Sequence, residues 1–317
     1  MPRIPAILVG PACAAFAVTL FSLNDVAMKM LSGDYALHLL VLIRSLVAMA
    51  IVLTIMAPLQ GGYGRLKTQR LGAHLFRASC VVFANMTFFL GVAALPLATC
   101  VAIFFITPSL VTIFSIIFLK EAVGLRRWVA TGLGFAGVLV VLRPGSSAFQ
   151  LASLFPVAAA FGIAGFSIMT RYMRETESAV SMVFYIQMTF IVVTLSLGAT
   201  IGGGVFADQS DPSLAFLFRA WGWPSAADLP LIMLLGVFAS VGGFFISQAY
   251  RLGEAAMVAP FEYLALPLSI LWGVLVFGDW PDRVAWLGIG LIAISGLYTV
   301  WREHHLQKRI ASTHVQR

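Results

Sequence analysis

Charged side chains are scarce: they make up 10% of the 317 residues, against about 25% in ordinary soluble domains. That scarcity, beside 60% apolar residues, excludes a water-facing globular surface and leaves lipid as the solvent. Cysteine is nearly missing too. Cys13, Cys80 and Cys100 lie inside apolar runs with no paired spacing, which excludes a disulfide framework and leaves small packing residues. No H-E-x-x-H, P-loop or nucleophile elbow occurs, so enzymatic chemistry has no support and neither a cofactor nor a metal is expected. His304, His305 and His314 read as part of a basic tail rather than as metal ligands. The formal charge of +7 suggests no nucleic-acid partner, because the basic residues are scattered between apolar runs instead of forming one face.

What the chain does have is apolar runs, and a bilayer core about 30 Å thick needs roughly 20 such residues per helix. Ten runs qualify, at about 6–30, 36–58, 71–94, 97–119, 125–142, 150–170, 180–202, 230–250, 256–278 and 284–301. The opening MPRIPAILVGPACAAFAV imitates a signal peptide, but the run continues to Leu23, which favours an uncleaved first span. With the amino terminus in the cytoplasm, fourteen basic residues of loops and tails fall inside and four outside (Lys29, Arg143, Arg219 and Arg283). The positive-inside rule therefore places both termini in the cytoplasm.

The stretch Ala94 to Glu121 has an echo in Leu252 to Asp279. Each copy runs from a turn through Val-Ala-x-Phe and a mid-run proline to a terminal acid, and a tryptophan, Trp128 or Trp286, opens the next run. Internal repetition of this kind divides the chain into residues 1–145 and 146–303, followed by a basic tail, 304–317. Five spans per half force the second half to enter the bilayer from the opposite face. The expected fold is all-α, with ten membrane helices in two inverted five-helix repeats, and such repeats hold a substrate site near the midplane. Gly132-Leu-Gly134-Phe-Ala-Gly137 satisfies G-x-G-x-x-G but sits within an apolar run, so it is read as a helix contact. Gly198-Ala-Thr-Ile-Gly202 is read the same way.

Charges inside spans cost about 2.5–3.5 kcal/mol each at a helix centre, and they need partners or a wet cavity. Asp25, Arg44, Arg77 and Glu262 qualify. At 1.5 Å per residue, Asp25 and Arg44 lie about 10 and 13 Å below the same face, so they can pair; a local Asp25–Lys29 pair is the alternative. Arg77 is long enough to snorkel to the headgroups, whereas Glu262 is not. Glu262 either faces the cavity and binds protons reversibly or is salt-bridged between helices. Pro108, Pro260 and Pro267 either kink their helices or free carbonyls to line a cavity. Asn85, Tyr185, Gln187, Gln248 and Tyr263 are candidate hydrogen-bonding partners for a solute, and Phe88, Phe89, Phe104 and Phe105 a candidate aromatic wall. Glu262 stands where the first copy has Phe105.

The segments LFSLNDVAMKML with Leu42-Ile43-Arg44, FFLGVAALPLATCVAIFFITPSLVTIFSIIFLKE with GFAGVLVVLRPG, and WLGIGLIAISGLY resemble the EamA-type members of the drug/metabolite transporter superfamily, over nearly the whole chain. The resemblance implies a secondary transporter in the bacterial inner membrane, working by alternating access on a small-molecule substrate. An amino acid or related metabolite, moved outward, is the first expectation, and a nucleoside-like or vitamin-like compound the second. Its partners are the bilayer and the substrate, with protons a further one if Glu262 faces the cavity; the residues leave the coupling ion open. A membrane sensor or scaffold is the alternative of a different class, and the loops are too short to hold its signalling module.

Overall fold

The computed structural model describes residues 6–120, 124–146, 149–173, 176–252 and 261–298; Pro260 and the tail histidines His304, His305 and His314 lie outside them. Every regular element among these residues is helical. The long helices are α1 (Ala6–Leu31), α2 (Leu37–Ile51, prolonged by one wide π-type turn, Val52–Met56, to Leu59) and α3 (Leu71–Ala94). Two half-helices follow, α4 (Leu97–Phe104) and α5 (Thr107–Leu119), and then α6 (Leu125–Leu142), α7 (Leu154–Met173) and α8 (Ala179–Ile201). After the short α9 (Pro212–Phe218) come α10 (Leu229–Leu252), α11 (Ala265–Phe277) and α12 (Arg283–Tyr298). Seven helical stretches are long and apolar enough to cross a membrane, and three shorter apolar helices accompany them. The chain is thus an all-α, multi-pass membrane protein.

Loops at one end are joined by Lys29–Asp279, Arg143–Asp282, Tyr35–Asp228 and Arg219 donating to the carbonyls of Ser32 and Tyr35. This is the tryptophan end, with Trp223 fully exposed and Trp280 largely so. At the opposite, basic end, Thr68 and His74 meet Glu177, and Ser178 donates to the Arg65 carbonyl. Within the bundle α1 packs on α10, α3 on α7, α2 on α8 and α10, α3 on α8, α4 on α11, α1 on α11, and α4 on α7.

Pro108 and Pro267 sit in the first turns of α5 and α11, where a missing N–H leaves no bond unmade. The breaks themselves fall just before those helices, at Phe105-Ile106 and Tyr263-Leu264. One residue separation relates Phe105 to Tyr263, Thr107 to Ala265, the left-handed cap Lys120 to Gly278, and Trp128 to Trp286. At that separation Phe105 stands level with Tyr263, whereas the Val-Ala-x-Phe echo, one residue out of step, sets it level with Glu262. The two rings meet 5.0 Å apart.

Small residues mark the close approaches. Gly137 and Gly288 face each other where α6 crosses α12: a methyl group on Gly137 would meet the Gly288 carbonyl oxygen at 2.9 Å. Gly162 lets α7 approach the Cys80 carbonyl and Ala84 of α3. The Gly198 reading needs correction. Its missing side chain makes room for the Trp221 indole, whose Nε1 donates to His38 Nδ1 at 2.7 Å, and not for another helix.

Candidate functional site

A cavity of about 680 Å³ lies inside the bundle, within the usual range of small-molecule sites of roughly 300–1,000 Å³. Of the residues singled out from sequence, Asp25, Arg44, Arg77, Asn85, Phe105, Pro108, Gln187 and Glu262 line it. Tyr185, Gln248, Tyr263 and Pro267 do not. Tyr185 stacks on His74, ring centroids 4.5 Å apart, near the basic end. Tyr263 turns its ring into the notch left by Gly296 of α12. Phe88, Phe89 and Phe104 join Phe105 in the wall, with Phe88 and Phe104 rings 5.0 Å apart.

Arg44 is 5% exposed and donates to Asn85 Oδ1 at 2.7 Å, joining α2 to α3. Its guanidinium lies between the rings of Phe89 and Phe190, at 5.7 and 5.3 Å. The expected pairings of Asp25 are not made. Arg44 is engaged by Asn85, and Lys29 turns away to the Leu95 carbonyl at 2.6 Å and Asp279 at 3.4 Å. Depth along a span leaves the azimuth around each helix undefined. Asp25 receives one long hydrogen bond, 3.4 Å, from Asn24 Nδ2.

Arg77 does not snorkel. It is 5% exposed, donates to Thr170 Oγ1 at 2.7 Å and to the Met182 carbonyl at 3.2 Å, and lies 4.4 Å over the Phe166 ring. Those contacts bind α3 to α7 and α8. Phe166, Phe190 and Thr170 escaped the sequence reading because nothing in an apolar run distinguishes an aromatic beneath a guanidinium from one facing lipid. Asn24, polar and next to an acid within the span, was the available signal for the least expected part of the wall.

The cavity runs toward the basic end as far as Met56 and Val183, whereas at the tryptophan end Lys29 ties α1 to the turns at Leu95 and Asp279. Outside the spans, burial pushes the Glu177 carboxyl up, but hydrogen bonds from His74 and Thr68 outweigh it and hold the group below the ordinary carboxylate value. Hydrogen bonds from Tyr35 and Ser225 depress Asp228, and those from Arg143 and the Ala285 amide depress Asp282. Among the described residues no group of three or more His, Cys, Asp or Glu side chains stands ready to hold a metal.

Residues 8–143 match the model of the EamA-like transporter family. The chain is 32% identical over 263 residues to a riboflavin transporter of Vibrio cholerae, covering 81% of this chain and 82% of the relative. It is 31% identical to a riboflavin transporter of Rhizobium johnstonii, over 79% and 77% of the two chains, and 27% identical to an S-adenosylmethionine uptake transporter of Rickettsia conorii, over 78% of each. A solved crystal structure superposes with a TM-score of 0.65 at 16% identity, covering 95% of this chain and 98% of the other, a likeness of fold alone. None of these names mentions an amino acid or export, so the expectation of amino-acid export finds no support here.

Proposed function

This chain belongs to the EamA-like transporter family of small-metabolite transporters, and we propose that it carries a metabolite built on a flat heteroaromatic ring, with riboflavin the first choice. The supporting observation is the wall of the 680 Å³ cavity. Phe88, Phe104 and Phe105 offer apolar faces for a ring, and offset or edge contacts between rings contribute about 0.5–1.5 kcal/mol beyond the area buried. Arg44, Asn85, Gln187 and Glu262 offer the few placed polar groups that orient a hydroxylated or amide-bearing partner. Riboflavin and S-adenosylmethionine, named for the relatives, share this division into flat ring and polar chain.

The helix pairings favour two inverted repeats. If α1 corresponds to α7, α2 to α8, α3 to α10 and the broken α4/α5 to the segment ending in α11, then α1 on α10 mirrors α7 on α3, and α2 on α10 mirrors α8 on α3. The contact of α2 with α8 maps onto itself. On this reading the halves rock about the cavity, the basic end faces the cytoplasm of a bacterial inner membrane, and residues 1–145 and 146–303 form the repeats. The cavity leans toward the cytoplasm, with the Lys29 contacts closing the far side.

Purified protein should gain apparent thermal stability with riboflavin or S-adenosylmethionine, since a ligand of the folded state raises stability by mass action. Uptake of labelled riboflavin into proteoliposomes, competed by excess unlabelled compound, is the functional counterpart. A shift with amino acids and none with either ring compound refutes the assignment.

A further inference from the structure

The wall of the cavity holds two polar groups whose bonding is incomplete in complementary ways. Asp25 lies in α1 with a single long hydrogen bond, 3.4 Å from Asn24 Nδ2 to its Oδ1, and, among the described residues, no cation within ion-pair distance. Asn24 is only 4% exposed, yet its Oδ1 is buried without a hydrogen-bond partner. The ionisable groups around them are otherwise engaged or distant. Arg44 of α2 is bonded to Asn85, Lys29 one turn along α1 to Leu95 and Asp279, and Arg77 of α3 to Thr170 and Met182. Cys100 of α4 is bonded to the Phe88 carbonyl. Glu262, ahead of α11, lines the same cavity and has a contact of its own. The described side chains of α10, which packs along α1, include no ionisable group.

An ionised carboxylate only accepts hydrogen bonds, and so does an amide oxygen; a protonated carboxyl also donates one. One proton on Asp25 would remove a charge that the apolar wall does not compensate. It would also create an O–H that can donate to the Asn24 oxygen once that oxygen faces it, so that the Asn24–Asp25 bond is kept in both protonation states. The amide reaches either arrangement by turning about its last torsion, since its oxygen and nitrogen are close to the same size. We propose that Asp25, with Asn24 as its hydrogen-bond acceptor, is a proton-binding site through which this transporter couples substrate movement to a proton gradient. The proton adds to one carboxylate oxygen when the cavity faces the acidic side and leaves the same oxygen when it faces the other; no second reactant is consumed. The coupling role rests on the transporter reading above, while the proton site stands on the Asn24–Asp25 geometry alone.

Two measurements on the full-length protein test it. In proteoliposomes loaded with riboflavin, counterflow of labelled riboflavin establishes the substrate, and its absence in wild type rejects riboflavin but not the proton site. With counterflow present, an acid-outside gradient should accelerate uptake several-fold in wild type. In Asp25→Asn the ratio of rates with and without the gradient should fall to one, and Asp25→Glu should recover part of it. A gradient response that persists in Asp25→Asn, or a wild type driven by sodium and indifferent to protons, overturns coupling at Asp25. Independently of any substrate, infrared titration of the purified protein should show a carboxylic C=O band that disappears as the pH is raised and is missing from Asp25→Asn. Its absence in wild type, or its persistence unchanged in folded Asp25→Asn, overturns the site itself.

Discussion

The hydrogen bond from Arg44 to Asn85 is the most direct test of how α2 and α3 are held against the cavity. Replacing Arg44 alone is ambiguous. Arg44→Met removes the bond and two ring contacts, each of which can reach about 2 kcal/mol when desolvated, but it also removes the cost of burying a charge, which can offset all of them. A double-mutant cycle with Asn85→Ala cancels everything except the pair. Hydrogen bonds to charged groups contribute about 1.5–3 kcal/mol in soluble proteins, while interhelical bonds in a membrane protein average about 0.6 and reach about 1.7. A 2.7 Å bond between a 5% exposed guanidinium and an amide oxygen belongs at the top of the membrane range, so the expected coupling is about 1–2 kcal/mol. Equilibrium unfolding in mixed micelles, with detergent as denaturant, measures all four proteins. A coupling within the additivity error of about 0.3–0.5 kcal/mol would show that the contact does not hold the helices together and would refute the reasoning.

Three further outcomes are expected. Asp279→Asn weakens the tie between α1 and the turn before α12, and at 3.4 Å with partial exposure the loss should be below about 1 kcal/mol; labelling of a cysteine placed at the tryptophan end should become faster, and unchanged labelling counts against Lys29 as a closing contact. Glu177 has a lowered native value, so its contribution is fully present at neutral pH, above the unfolded value, and is lost as pH falls through the lowered native one; unfolding followed through that acid range should lose this component in Glu177→Gln, and an identical pH profile removes Glu177 from the account. Gly198→Ala places a methyl group against the Trp221 ring, which should expel the indole, shift its fluorescence to longer wavelength and destabilise by about 1–3 kcal/mol; an unshifted spectrum contradicts the packing.

The spans were legible because lipid leaves a chain little choice: backbone groups must be satisfied internally, and about 20 apolar residues are needed per crossing. The breaks at Phe105-Ile106 and Tyr263-Leu264 were half legible. Pro108 and Pro267 announced them, but a proline in a first turn marks the helix that follows it and not the break itself. The four charged residues of the cavity lining, Asp25, Arg44, Arg77 and Glu262, were found for a related reason, since a charge inside an apolar run is conspicuous. Their partners were not found. Arg44 met Asn85 and Lys29 met Asp279, each a choice among several groups at similar depth.

Composition and loop charge therefore determined by themselves that this is a membrane protein of apolar helices, and the echo around Val101 and Val258 pointed to repetition. Tertiary structure alone decided which face of each helix meets the cavity, that the rings of Phe105 and Tyr263 meet, and that Asp25 stands beside Asn24 with no cation paired to it among the described residues. The reason is physical. A soluble helix declares its buried side by an apolar stripe, but a helix in lipid is apolar all round, and packing and hydrogen bonds between helices set the azimuth.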